Sequence, residues 1–203
     1  MSKDKPKETT AVDGTDFAIG IIASRYNNDL VEALLKDVRA ALRKSKVADA
    51  SVKVLRVPGA SEIPYAANML AMTEEYDCII ALGVIIKGDT IHAEVIANST
   101  ALTLQGVAMQ TEVPVINGII AVNTREQAEE RTRGKLARGT EFAKSALEMA
   151  WHHLQLGDYL DTLDANAEAD GDLDYLEYEK KLYEDDDDDD DEDGGSDYPF
   201  HKN

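Results

Sequence analysis

Three short apolar runs and one alternating stretch, each closed by a polar or glycine-containing turn and parted by stretches of helical period, constrain this chain most. Phe17 to Ala23, Ser51 to Val57, Cys78 to Ile86 and Pro114 to Val122 read as strands. From Asn28, the residues Leu30, Val31, Leu34, Leu35, Val38, Ala41 and Leu42 recur at helical spacing. A second helix is expected from about Glu62, with Tyr65, Ala66, Met69 and Leu70 on one face, and a long third one over Ile91 to Gln110. Thr124 to Thr132 and Glu141 to His153 are helical stretches around Gly134 and Gly139. Unbroken apolar strands suit a parallel sheet covered on both faces. The alternation of strand and helix makes that sheet doubly wound, with right-handed crossovers.

The expected fold class is therefore α/β, a flavodoxin-like three-layer α/β/α sandwich with a four-stranded parallel sheet. A length of 203 residues suits one such domain plus some excess. Charge locates the excess. The chain has 40 acidic and 21 basic side chains, yet residues 157–203 hold 20 of the acids and three bases, Lys180, Lys181 and Lys202. The other 156 residues hold 20 acids and 18 bases. The expected organisation is a loose leader over 1–15, one near-neutral domain over 16–156, and a polyanionic, disordered tail over 157–203. Within that tail, Leu173 to Tyr183 carries a short helical pattern, Glu184 to Asp193 are ten consecutive acids, and Tyr198-Pro199-Phe200-His201 ends it on an apolar note.

This charge balance leaves no clustered cationic face for nucleic acid. Cys78, the sole cysteine, lies in an apolar run and reads as buried and unreactive, so neither a disulfide nor a thiolate metal site is expected. The first residues have no apolar core of the secretory kind, and the longest apolar stretch, Ile79 to Ile86, is too short to span a bilayer. No membrane partner is expected, and the expected location is cytoplasmic.

In an open α/β sheet ligands bind beyond the carboxyl ends of the strands. That rule selects Ser24–Asn28, Pro58–Glu62, Lys87–His92 and Asn117–Asn123. In the third of these, Gly88 allows a sharp turn, Thr90 offers a hydroxyl, and the start of the next helix offers free N–H groups to an anion. His92 falls in that first helical turn, placed as a general acid or base. It lacks partners for a metal, since Glu94 two residues on points elsewhere. His152 and His153 are expected near a helix end, where a cation complements the dipole.

Pro58-Gly59-Ala60-Ser61-Glu62 lacks the closing glycine of a serine nucleophile elbow and reads as a helix-initiating turn capped by Glu62, whose carboxylate is otherwise free to accept ligand hydroxyls. No Walker-type or G-x-G-x-x-G loop is present, so ATP and dinucleotides are not expected. A receiver domain would need acids after the first strand, and a flavodoxin a phosphate loop there; the chain has Ser24-Arg25-Tyr26. Arg131, Arg133, Lys135 and Arg138 form a second cationic element, either a solvated turn or part of an anion site on a neighbouring subunit.

Taken together, several segments resemble the 6,7-dimethyl-8-ribityllumazine synthases of riboflavin biosynthesis. They are Ser24-Arg25-Tyr26-Asn27, Val57 to Pro64, Gly83 to His92, Val113 to Gly118, Glu126-Gln127-Ala128 and Ala146 to Met149, within a match from about Phe17 to Leu154. The resemblance implies a cofactor-free, transferase-type condensation of 5-amino-6-(D-ribitylamino)uracil with 3,4-dihydroxy-2-butanone 4-phosphate, releasing phosphate and water. It implies that His92 transfers protons and that Gly88, Asp89 and Thr90 bind phosphate. Tyr26 would stack on the pyrimidine. Asn27, Ala60, Ser61 and Glu62 would surround the ribityl chain, with Val84, Ile85 and Ile86 as a wall beside the ring. An adjoining subunit of a homo-pentamer would add Asn117, Arg131, Lys135 and Arg138, Arg131 also facing the phosphate. Pentamer-based shells occur in the family, and riboflavin synthase is a partner by family analogy.

The chain departs from the family pattern in places. Leu136-Ala137-Arg138-Gly139 replaces a Gly-Asn-Lys-Gly turn, Asn117 stands where an aromatic is common, and Asp89 puts a carboxylate beside the phosphate turn. The competing reading is a weakly active or inactive shell-forming scaffold whose acidic tail recruits a partner. A third reading makes the tail a cation-binding or basic-protein-binding segment.

Overall fold

The computed structural model of the chain describes residues 12–169, with side chains through Leu163. The start of the leader, the helical pattern over 173–183, the acidic run 184–193 and the end segment 198–201 lie outside the described residues. The chain divides into two units, one through Leu156 and one from Gly157.

The elements of the first unit follow the sequence pattern closely. Strands β1 (Ile19–Ser24), β2 (Val52–Val57), β3 (Cys78–Ile86) and β4 (Val115–Val122) form one parallel sheet in the order β2-β1-β3-β4. Helices α1 (Asn28–Lys44), α2 (Ile63–Ala71), α3 (His92–Thr111), α4 (Arg125–Thr132) and α5 (Gly139–Ala169) connect and follow the strands. One face of the sheet packs Ile19, Ile21, Ile80, Leu82 and Ile120 against Leu30, Leu34 and Val38 of α1 and Phe142, Ala146 and Leu147 of α5. The other packs Ile22, Ile79, Ala81 and Ile119 against Ile63 and Ala67 of α2 and Leu104 and Val107 of α3. The central strands β1 and β3 are buried almost end to end, while β2, at an edge, alternates. That difference is why two strands read as solid apolar runs and one did not. Among the described residues, no helix is long and apolar enough to cross a membrane.

Three expectations change. On α2, Tyr65 and Met69 are exposed, and the buried face is Ile63, Pro64, Ala66, Ala67 and Ala71. Small side chains let α2 sit close to the sheet, so packing followed volume rather than hydrophobicity. Helix α5 does not stop near His153 but runs to Ala169. Its only breaker there, Gly157, costs about 1 kcal/mol relative to Ala, too little to end a helix. His152 and His153 therefore lie inside α5, and the dipole argument for them falls. Third, Asp13-Gly14-Thr15 is anchored rather than loose. The Gly14 N–H donates to the Ser45 carbonyl at 2.7 Å, and Asp13 accepts from Lys46 Nζ and Thr15.

Lys46, and after it Thr15, hold the Asp13 carboxyl down at about 2, against an ordinary 3.8. A carboxylate depressed on folding stabilises above its unfolded value, and the gain is lost as pH falls through the folded one. Melting temperatures of the parent and Asp13→Asn should therefore differ at neutral pH and converge as pH approaches 2.

Gly118 of β4 marks a point where the neighbouring strand's backbone comes close. A Cβ there would lie 2.8 Å from the Ala81 carbonyl oxygen and 3.0 Å from Cδ2 of Phe142. The backbone oxygen cannot move aside, so Gly118→Ala is expected to cost about 1–3 kcal/mol by overpacking. A lowered urea midpoint at unchanged slope would register it.

Candidate functional site

Strand order places the topological switch point between β1 and β3, where the following chains leave towards opposite faces. The loop after β1 is fixed there by its backbone. The Arg25 N–H donates to the Val57 carbonyl at 2.8 Å, and the Tyr26 N–H to the Pro58 carbonyl at 3.1 Å, joining this loop to the one after β2. Asn27 Nδ2 donates to the Val84 carbonyl at 2.8 Å, which ties the same loop to β3. Asn27 itself is left-handed, at φ 52°, and its carbonyl accepts from Leu30 and Val31 to start α1. Asn is the side-chain-bearing residue that adopts this conformation most readily.

The loop after β2 is held from within. Glu62 Oε2 accepts the Gly59 N–H at 2.7 Å, which fixes the turn over Ala60–Glu62 and confirms the capping role read from sequence. A Cβ on Gly59 would lie 3.1 Å from that carboxylate and 3.9 Å from Cδ2 of Tyr26. A side chain at position 59 would therefore press on the Glu62 carboxylate that fixes this turn. Tyr26 is 75% exposed, so one face of its ring is available for stacking. Ser61 and Glu62 are exposed and Ala60 half-buried; Val84 and Ile85 are buried and Ile86 partly so, forming the floor.

After β3, the chain passes through Lys87-Gly88-Asp89-Thr90, all exposed, into α3. Gly88 has no left-handed backbone, and a Cβ there would meet nothing within 4 Å. The sharp-turn argument for it is thus corrected: what glycine leaves here is open space. His92 begins α3 with an exposed side chain, and its N–H lies 3.4 Å from Thr90 Oγ1. The N-cap residue Ile91 offers no side-chain cap, and beyond the Thr90 contact the first-turn amides have no side-chain acceptor among the described residues. Lys87 Nζ meets Glu94 Oε1 at 2.8 Å, and this hydrogen bond holds the Glu94 carboxyl below its ordinary range.

An open depression of about 570 Å3 lies beside this turn, lined in part by Ile85, Lys87, Glu94, Asn98, Asn123 and Arg131. Arg131 is half-buried and donates from Nη1 to the Gln127 carbonyl at 3.2 Å. The Arg138 N–H donates to the Arg131 carbonyl at 3.0 Å, so the cationic loop closes on itself and draws these two arginines together. Arg138 also pairs with Glu141 at 2.6 Å. Arg133 is taken up by Asp29 and Glu129, and Lys135 is exposed.

Asn117 is not at a strand end. It lies inside β4, opposite Ala81, and its Oδ1 accepts the Ile119 N–H at 3.1 Å. The strand-end rule fails for it because β4 runs on to Val122. Its side chain is exposed on the edge strand. Among the described residues, no hydrogen bond or ion pair links Asn117, Lys135 or Arg138 to Tyr26, Asn27, Glu62 or His92. Asn117, Lys135 and Arg138 thus stand apart from the residues around the β1/β3 switch point, whereas Arg131 lines the depression that also holds Ile85 and Lys87.

Sequence reasoning passed over the groups that hold the switch-point residues in place. Arg56 donates to the Ser24 carbonyl and the Asn28 side chain, and pairs with Glu32. A lone arginine in a strand beside buried Val57 was the available signal. Cys78 is buried, and desolvation pushes its thiol far above the ordinary value, so it is inert as expected.

Comparison with known proteins agrees in extent and identity. The family model described as 6,7-dimethyl-8-ribityllumazine synthase matches residues 16–153. A 6,7-dimethyl-8-ribityllumazine synthase of Nitrosomonas europaea is 41% identical over 139 residues, covering 68% of this chain and 83% of the relative. One from Xanthomonas euvesicatoria pv. vesicatoria is 43% identical over 136 residues, or 66% of this chain and 88% of its own. One from Leuconostoc mesenteroides is 34% identical over 139 residues, or 68% and 89%.

Proposed function

The chain belongs to the 6,7-dimethyl-8-ribityllumazine synthase family, and on that premise we propose how its residues share the work. It is an enzyme of riboflavin biosynthesis that forms 6,7-dimethyl-8-ribityllumazine by a transferase-type condensation of small molecules, and the family works as oligomers. The substrates are 5-amino-6-(D-ribitylamino)uracil and 3,4-dihydroxy-2-butanone 4-phosphate. An imine forms between the amine and the ketone with loss of one water, phosphate leaves, and ring closure releases a second water.

The observation that supports the assignment of roles is that the loops after β1 and β2 are joined to each other and, through Asn27 and the Val84 carbonyl, to β3 at one switch point. Tyr26 stacks on the pyrimidine, while Asn27, Ala60, Ser61 and Glu62 receive the ribityl hydroxyls. Val84, Ile85 and Ile86 wall the ring. The uncapped start of α3, with Gly88, Asp89 and Thr90, holds the phosphate, since free N–H groups and the helix dipole favour an anion. The exposed side chain of Asp89 leaves its carboxylate free to turn to water. His92, in the first turn of that helix, moves the protons of imine formation and elimination. Holding both substrates in one cleft supplies much of the remaining acceleration.

Asn117, Arg131, Lys135 and Arg138 serve the site of an adjoining subunit in a homo-pentamer. Helix α3 supports this arrangement. Val95, Leu102 and Met109 recur every seventh residue and are exposed, while Thr100, Leu104 and Val107 face inward. A helix apolar on both sides is one covered on both sides. Larger pentamer-based shells and an association with riboflavin synthase extend this reading, as do a cytoplasmic location and a partner-recruiting role for the acidic tail.

The direct test is to mix purified protein with the two substrates and no added cofactor, and to follow lumazine by its absorbance and fluorescence. Steady formation with release of phosphate is expected. Absence of product from a folded, assembled protein would overturn the reading.

A further inference from the structure

We infer that Arg56 is a positioning residue that sets the pyrimidine-facing loop. This rests on the reading above of Tyr26 and Asn27 as substrate contacts and adds to it a residue that touches no substrate. Arg56 lies in β2 opposite Ala23, and its guanidinium reaches across to the neighbouring loop. Nη2 donates to the Ser24 carbonyl at 3.1 Å and to Asn28 Oδ1 at 2.5 Å, and Nη1 pairs with Glu32 of α1. One planar group thus grips both ends of the excursion Arg25-Tyr26-Asn27, the last residue of β1 on one side and the first turn of α1 on the other.

Rigidity matters here for two reasons. The 75% exposure of Tyr26 leaves its backbone to set the ring's direction. Asn27 holds a left-handed backbone that the chain does not favour by itself. The Arg56 side chain is 26% exposed, so its bonds are less open to competing water than those of a fully exposed pair. A lysine at this position keeps the charge but cannot grip two acceptors with one plane.

The test is steady-state kinetics on Arg56→Met and Arg56→Lys, varying each substrate in turn, with oligomer size and thermal unfolding measured alongside. Arg56→Met is expected to raise KM for 5-amino-6-(D-ribitylamino)uracil roughly tenfold while changing KM for the phosphate substrate less than about twofold, the split that misplaced positioning of one substrate produces. Arg56→Lys should fall between the parent and Arg56→Met. An equal rise in both KM values, or a loss of kcat alone, would overturn the inference and mark Arg56 as merely structural. Failure of the unaltered protein to make lumazine would overturn the functional reading itself, so the two failures are told apart by the parent enzyme.

Discussion

Replacing His92 by Ala is expected to lower kcat by ~10²–10⁴-fold, the usual contribution of a positioned acid or base. His92 opens α3 with its side chain exposed, directly after the turn assigned to phosphate. No packing depends on it, so the variant should keep the fold, the oligomer and the unfolding midpoint of the parent. Because the substrates are held by other groups, KM for each should change little. Binding energy that acts equally on ground and transition states appears in KM, whereas a proton transferred only in the transition state appears in kcat. Turnover unchanged within error would remove His92 from the chemistry. A collapse of the oligomer would instead make its role structural.

Pairing that variant with one in the residues assigned to the adjoining subunit gives the second large effect. Arg131→Met removes a guanidinium from the loop proposed to face the phosphate. Loss of a charge-assisted hydrogen bond of about 1.5–3 kcal/mol corresponds to a rise in KM for the phosphate substrate of roughly 10–100-fold. At low substrate, each variant alone is then nearly silent. If each site joins two subunits, co-expressing the two variants in one assembly restores activity. About one site in four then combines an intact His92 from one chain with an intact Arg131 from its neighbour. A mixture no more active than its parts would place both residues in a single-chain site and overturn the shared arrangement. Co-expressing the chains in one cell lets both variants enter the same assembly as it forms.

Much of the fold was legible because period and length agreed. Cys78 to Ile86 was read as a strand and is one, and α1 buries Leu30, Val31, Leu34, Leu35, Val38 and Leu42 as its spacing required. Other elements were misread. Tyr65, Ala66, Met69 and Leu70 were placed on one face of α2, yet Tyr65 and Met69 are exposed and the helix buries Ile63, Pro64, Ala66, Ala67 and Ala71. The true length of α5 was hidden because its continuation offers no buried stripe to announce it. At the site, Glu62 was seen as a cap and is one. Asn117 was grouped with the strand-end residues although it falls inside the strand that the sequence itself marks over Pro114 to Val122.

By itself, the sequence determined the parallel α/β sandwich, the family, and the chemistry of the residues gathered at its motifs, since these depend on local period, residue type and order along the chain. Tertiary structure alone decided how those residues are held. It placed Asn27 against the Val84 carbonyl, closed Arg138 onto Arg131, and set the Arg56 guanidinium across the ends of the Tyr26 loop. Such contacts join residues far apart in the chain through directional hydrogen bonds of about 3 Å, and no pattern in one segment encodes where another will lie.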